Sequence, residues 1–327
     1  MPDDRPLEAR LLRPPPVDAR LLRPPGPPAA PPPPPGHRPL GRLLGDGLRA
    51  ALRAPLVVAG IFVCRTLEAV GAIAPLLFVW SRLAGPLSSG DLPSTLSTFL
   101  SPVTWIVPAG ILFASLIVTS ILELVVWSGG IGVLDRVVRR EEPVRALATF
   151  TGAFGPTFPR LVIVAACMAA ARVALALFTW TLALAAGWSM AGGEAGLAIV
   201  AAAGLSLAAV VGLAGSIFLP IIHELALARS SVLVEPPLAA IHGASVQVAR
   251  RPFVLVGVAF VVGLGAAVVA GTTGGPAQLL FEGGAWIVAA VAASQLIAFA
   301  IAAFASVARL GAWVSAARDA QAAEAAA

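Results

Sequence analysis

The hydrophobic positions of this chain are gathered into six long runs separated by short polar segments. The runs lie at 55–83, 103–128, 159–188, 196–222, 253–271 and 285–308. Each is close to or above the ~20 residues that an α-helix needs to cross the hydrocarbon layer of a bilayer. The pattern therefore predicts an all-α fold, a polytopic transmembrane helical bundle of about six spans that occupies 55–315.

Three of the apolar runs are each preceded by a similar segment that ends in proline. The segments 142–159 and 235–252 each begin with Glu-Pro and end with Pro, and a looser copy lies at 40–55. Each segment is long enough for a surface helix, and the closing proline suits a turn. We interpret the repeat as a surface helix, a proline turn and a transmembrane hairpin, present three times.

The first of these surface helices is predicted at 39–54, and its pattern is amphipathic. Its apolar face is formed by Leu40, Leu44, Leu48, Ala51 and Leu52. Its other face carries Arg42, Asp46, Arg49 and Arg53. A basic amphipathic helix beside a span is typical of binding to anionic headgroups, so we assign the three arginines to a lipid surface. The 235–252 copy is richer in small residues and is predicted to pack on the protein instead.

The N-terminal segment 1–38 is Pro-rich and contains a ten-residue repeat. Such a composition predicts a disordered cytoplasmic tail with polyproline II character, and it lacks the apolar stretch of a signal peptide. The tail is either a solvated tether or a docking segment for a protein partner with an aromatic groove. Residues 316–327 are predicted to form a short cytoplasmic tail.

Charge determines the predicted orientation. Charged residues make up only 12% of the chain, and the formal net charge is +5. The basic residues are all arginine, and they cluster in the segments on one side of the predicted spans, whereas Arg82 stands alone on the other. By the positive-inside rule, both termini are predicted to be cytoplasmic.

The sequence contains few residues that could form a catalytic or metal-binding site. A chain without lysine has no Walker A loop and no Schiff-base lysine, and its 2 cysteines and 3 histidines offer little to a metal. His223-Glu224 begins like a zinc-protease helix, but Leu227 stands where the second histidine is needed. We interpret that pair as a polar cap at the cytoplasmic end of the fourth span. No catalytic residue, metal, cofactor or nucleic-acid partner is predicted.

Charges inside the predicted spans are the remaining candidate site. This intramembrane polar cluster comprises Arg65, Glu68, Glu123, Arg172 and Gln295. Intramembrane charges are costly and usually face a bundle interior, where they form either an ion-pair staple between helices or a transport path. Depth along the helices predicts that Glu68 pairs with Arg172 and that Arg65 reaches Glu123.

Two ladders of small residues predict close helix packing. One comprises Gly204, Ala208, Gly212 and Ser216 in the fourth span, and the other comprises Ala259, Gly263, Ala267 and Gly271 in the fifth. Small residues let helix backbones approach closely in lipid, and the same faces could join two copies of the chain in an oligomer.

The chain resembles a group of bacterial six-helix membrane proteins that includes the membrane domain found ahead of some glycerophosphodiester phosphodiesterase catalytic domains. One stretch that carries the resemblance runs from Glu142 to Leu161, with Gly152, Phe158 and Arg160. The other runs from Val234 to Leu255, with Ala239, Ala240, Arg250 and Arg251. The resemblance implies a multi-pass protein of the bacterial inner membrane, without a reaction of its own. The first hypothesis for its function is a non-enzymatic scaffold or an accessory component of the cell envelope.

The alternative is a transport subunit. The segment from Ala239 to Ser245 resembles the cytoplasmic coupling loop of ABC importer permeases, in which a helix docks on an ATPase. On this hypothesis, residues 235–252 form the coupling segment.

Overall fold

The computed structural model describes residues 39–141, 146–191, 195–274 and 285–326, and in these ranges it contains nine α-helices and no strand. The helices are α1 Leu40–Arg53, α2 Pro55–Ser89, α3 Leu92–Leu100, α4 Pro102–Val138, α5 Ala146–Ala191, α6 Ala195–Val232, α7 Pro237–Arg250, α8 Pro252–Gly274 and α9 Ala285–Ala326. The Pro-rich segment 1–38 lies outside the described residues.

Each of the six long apolar runs lies within a helix of the structure. Five of these helices (α2, α4, α5, α6 and α9) are long and apolar enough to cross a membrane. The bent pair of α7 and α8, whose axes meet at 97°, brings the number to six if it forms one span. The protein is therefore a polytopic, all-α membrane protein, as the hydropathy pattern predicts.

The helices extend into two of the intervals between the apolar runs. Between the first two runs lie the end of α2, a left-handed Gly90 and the short helix α3, which Asp91 caps by accepting from the Ser94 amide. After the second run, which ends at 128, α4 continues to Val138, and α5 begins by Ala146. Hydropathy marks where lipid begins rather than where a helix ends, so both ends were placed too early.

The predicted repeat survives in two of its three copies. Helices α1 and α7 are each 14 residues long, and each is followed by one non-helical residue and then by a proline that opens the next helix. The joints have similar backbone angles, φ −119° and ψ 56° at Ala54 and φ −141° and ψ 52° at Arg251. The middle copy was predicted wrongly, because Pro156 and Pro159 lie inside one continuous helix, α5.

The largest group of buried apolar side chains lies at one end of the bundle, where α1 and α7 meet the long helices. Its members include Val57 and Ile61 of α2, Leu134 of α4, Leu225 of α6 and Trp313 of α9. We call this part of the bundle the core end. Away from it, the long helices expose large apolar side chains, as expected of surfaces that face lipid.

Helix α1 packs on α9, a contact that its amphipathic pattern does not predict. Its buried residues are Leu43, Gly47, Ala50 and Ala51, whereas Leu48 and Leu52 of the predicted apolar face are exposed. Small side chains allow α1 to approach the α9 backbone near Gly311, where the side chain of Ala50 fills the space. The third copy, α7, packs on the protein as predicted, through Ala240, Ala244 and Val248.

The two small-residue ladders behave differently. On α6, Gly204 faces Ala186 of α5 and Gly212 faces Thr179, each at 3.5 Å from the position that a Cβ would take, so this prediction is confirmed. On α8, a Cβ at Gly263 would meet nothing within 4 Å, so this part of the second ladder is not closely packed.

Candidate functional site: a polar cavity between the long helices

A cavity of about 800 Å³ lies between α2, α4, α5, α6 and α9, next to the core end. Its ionisable lining residues are Arg65, Glu123, Arg172, His223, Glu224 and Arg309. The rest of the wall is mostly apolar, with Trp127 and Leu227 toward the core end. A volume of this size suits a small organic ligand.

Arg65 joins α2 to α4 on one side of the cavity. Its Nη1 donates to Glu68 Oε2 at 2.7 Å and its Nη2 donates to Glu123 Oε1 at 3.3 Å. The predicted contact between Arg65 and Glu123 is therefore confirmed. Glu68 lies one turn along the same helix, so the Arg65 guanidinium forms ion pairs with the carboxylates of both Glu68 and Glu123.

A second ion pair, between α6 and α9, was not anticipated. Arg309 Nη2 donates to Glu224 Oε1 at 2.5 Å, and the indole Nε1 of the fully buried Trp313 donates to Glu224 Oε2 at 2.8 Å. The prediction of a polar cap at Glu224 is wrong, because α6 continues to Val232 and Glu224 faces the bundle. The signal that could have found it is an arginine and a tryptophan at i and i+4 directly after the last apolar run, Arg309 and Trp313.

Arg172 differs from Arg65 and Arg309, the other arginines of this cavity, in forming no ion pair among the described residues. Its predicted pairing with Glu68 is wrong, and Arg172 Nη2 instead contacts His223 Nδ1 at 3.1 Å. Among the described residues, no carboxylate lies within ion-pairing distance of Arg172. Depth matching failed because two residues at equal depth face each other only if their helices also have the right rotation.

Unsatisfied donors accompany Arg172. Because a guanidinium can only donate, His223 Nδ1 must accept from Arg172, which leaves the proton of a neutral imidazole on Nε2. Within the described part of the chain, His223 Nε2 and Arg309 Nε are buried and have no hydrogen-bond partner. Buried donors without acceptors are rare in folded proteins, and both belong to residues that line the cavity. The residues around Arg172 thus carry more hydrogen-bond donors than their neighbours in the described chain satisfy.

The other predicted site residues lie elsewhere. Gln295 is half-buried on α9 and does not line the cavity. On α1, Arg42 and Arg53 are exposed, whereas Arg49 Nη1 contacts Asp46 Oδ1 at 3.2 Å. The assignment of these three arginines to a lipid surface stays a prediction.

Comparison of this chain with protein-family models, with curated proteins and with solved structures finds no match. The resemblance to the bacterial six-helix membrane proteins therefore stays a prediction that rests on its short motifs.

Proposed function

We propose that this protein is a non-enzymatic, multi-pass component of the bacterial inner membrane that binds an anionic molecule in the polar cavity as part of a transport process. The observation that carries the proposal is Arg172, an exposed arginine that lines the cavity within a candidate span and has no carboxylate in reach among the described residues. Burying an uncompensated charge in a bilayer is expensive, so such residues usually serve function. An anion bound at Arg172 would supply the missing charge.

A guanidinium is also the side chain best suited to the task. It presents planar pairs of N–H donors that match phosphate and carboxylate oxygens, and it stays charged at any physiological pH. The ion pairs of Arg65 with Glu123 and of Arg309 with Glu224 would hold the surrounding helices in place. They leave Arg172 as the group that is open to a ligand.

The proposal predicts that anions stabilise the purified protein through Arg172. Inorganic phosphate or sulfate, added at constant ionic strength, should raise the thermal unfolding temperature of the full-length protein in detergent. Arg172→Gln should abolish the rise, since the glutamine is neutral and lacks the planar fork. The measurement is the unfolding temperature as a function of anion concentration.

Arg160→Gln is the matched control, because Arg160 lies on the same helix but lines neither this cavity nor its neighbours. This variant should keep the full response to the anions. If the wild-type protein shows no response, or if Arg172→Gln keeps it, the proposal is wrong and the arginine is structural.

A scaffold or docking role is the second candidate, and the exposed side of α7 favours it. Leu238 is 71% exposed, and Ala239 and His242 lie on the same open side of the helix. Gly243, in the segment that resembles a coupling loop, is required by packing within this protein. A Cβ at this position would meet the Arg229 guanidinium at 2.7 Å. Co-purification of a cytoplasmic ATPase that Leu238→Arg abolishes would support the coupling-segment alternative.

The orientation is part of the same proposal. Both termini and the core end are expected on the cytoplasmic side, because the arginine-rich segments lie there. Reporter fusions after Ser89, Gly192 and Gly275 should report the outside, and fusions after Glu141 and Ser231 the inside. One clearly reversed fusion would contradict this topology.

A further inference from the structure

The wall of the polar cavity is charged at one side and apolar at the other. The apolar side is formed largely by α4, where Phe113, Ile117 and Ile121 line the cavity and are also 68%, 44% and 50% exposed. A side chain that lines a cavity and is exposed as well marks the cavity's opening. Since these residues lie inside a candidate span, that opening faces the hydrocarbon layer rather than water.

The opposite edge of the opening is formed by small side chains of α5. Val162, Ala166 and Ala169 line the cavity at helical spacing, and all three are exposed. The two edges together leave a lateral gap between α4 and α5.

The gap begins where close contact between these helices ends. At the core end, α5 fits against the glycines of α4: a Cβ on Gly129 would meet the Phe150 ring at 2.6 Å, and one on Gly132 would meet Ala153 at 2.5 Å. Thr157 Oγ1 also donates to the Ser128 carbonyl at 2.8 Å. Beyond this contact, cavity-lining residues stand on both helices, and the space between them leads from the bilayer to Arg172.

We propose that the ligand of the cavity is an anionic amphiphile, a phospholipid whose phosphate binds at Arg172 and whose acyl chain lies in the gap between α4 and α5. This inference rests on the proposed function and names the ligand class. The Arg172 guanidinium donors match phosphate oxygens, and the apolar edges match a hydrocarbon chain. A free inorganic anion would contact the donors at Arg172 but would leave the apolar edges of the gap without a ligand group to contact.

The inference predicts that a lipid and a free anion respond differently to a side chain placed in the gap. Full-length protein in detergent would be titrated with phosphatidylglycerol, with phosphatidylcholine and with inorganic phosphate. Phosphatidylglycerol should raise the unfolding temperature more than the zwitterionic lipid does, and native mass spectrometry should show it bound. Ala166→Phe should abolish the response to phosphatidylglycerol and keep the response to inorganic phosphate, because it fills the gap without touching Arg172.

Ala170→Phe is the control, since Ala170 is exposed on the same helix but does not line the cavity. It should behave as the wild-type protein with every probe. If phosphate stabilises the protein through Arg172 but the lipids do not, or if Ala166→Phe leaves the lipid response intact, the lipid inference is overturned and the proposed anion site stands. If neither phosphate nor lipid acts through Arg172, both proposals fall.

Discussion

Glu224→Gln is expected to lower the free energy of unfolding by about 3 kcal/mol, the lower end of the range for breaking one partner of a buried ion pair. The glutamine keeps an oxygen for the indole of Trp313 but leaves Arg309 without its carboxylate. The lower end applies because the Glu224 and Arg309 side chains are still 24% and 29% exposed, toward the cavity. A fall of several degrees in the detergent unfolding temperature would measure the loss.

Glu141→Gln is the matched control. Glu141 is half exposed and contacts Arg139 Nη1 at 3.6 Å, so its removal should change stability by less than about 1 kcal/mol. Combining Glu224→Gln with Arg309→Gln should recover part of the loss, because no charge then remains unpaired. Equal stability of Glu224→Gln and the wild-type protein would show that this ion pair does not hold α6 to α9.

The helices could be predicted from the sequence because their signal is local and strong. A run of about 20 apolar residues has few ways to satisfy its backbone in lipid, and a helix is the simplest one. The proline at 159 misled the prediction, since proline usually interrupts helices in water. Prolines are tolerated within membrane helices, and α5 continues through both Pro156 and Pro159.

The candidate site could be predicted only in part, because depth along a helix is readable from the sequence and rotation about its axis is not. Depth alone brought Glu68 and Arg172 together, although Arg65 was the nearer partner of Glu68 at i,i+3. Glu224 was misplaced for a different reason. Its partner Arg309 lies 85 positions away, and the predicted span ended at 222, so its place inside a helix was hidden.

The amphipathic pattern of α1 does not reveal that the helix also packs on α9. The pattern assigns leucines to a membrane surface, and Leu48 and Leu52 lie on the exposed side of the helix. The face toward α9 contains Leu43 and small residues, Gly47, Ala50 and Ala51, because it must fit the backbone of a neighbouring helix rather than lipid. Both surfaces suit an apolar face, and only the size of its side chains distinguishes them.

Gly47→Ala is expected to destabilise the protein, although alanine is the better helix former. A Cβ at position 47 would clash with the Ala308 carbonyl oxygen and would lie 3.1 Å from the Ala312 backbone nitrogen. Backbone atoms cannot move aside as a flexible side chain can, so α1 must shift away from α9. Overpacking of this kind costs about 1–3 kcal/mol, which outweighs the gain of up to about 1 kcal/mol in helix propensity. The unfolding temperature should fall, and trypsin should cleave faster at Arg53.

Gly45→Ala tests the same helix with the opposite expected sign. A Cβ at Gly45 would meet nothing within 4 Å, so only the propensity gain remains and stability should rise by up to about 1 kcal/mol. If α1 rested on lipid alone, as its amphipathic pattern first indicates, both alanines would stabilise it to a similar extent. Opposite signs at positions 45 and 47 therefore require direct contact between α1 and α9, and equal signs would contradict it.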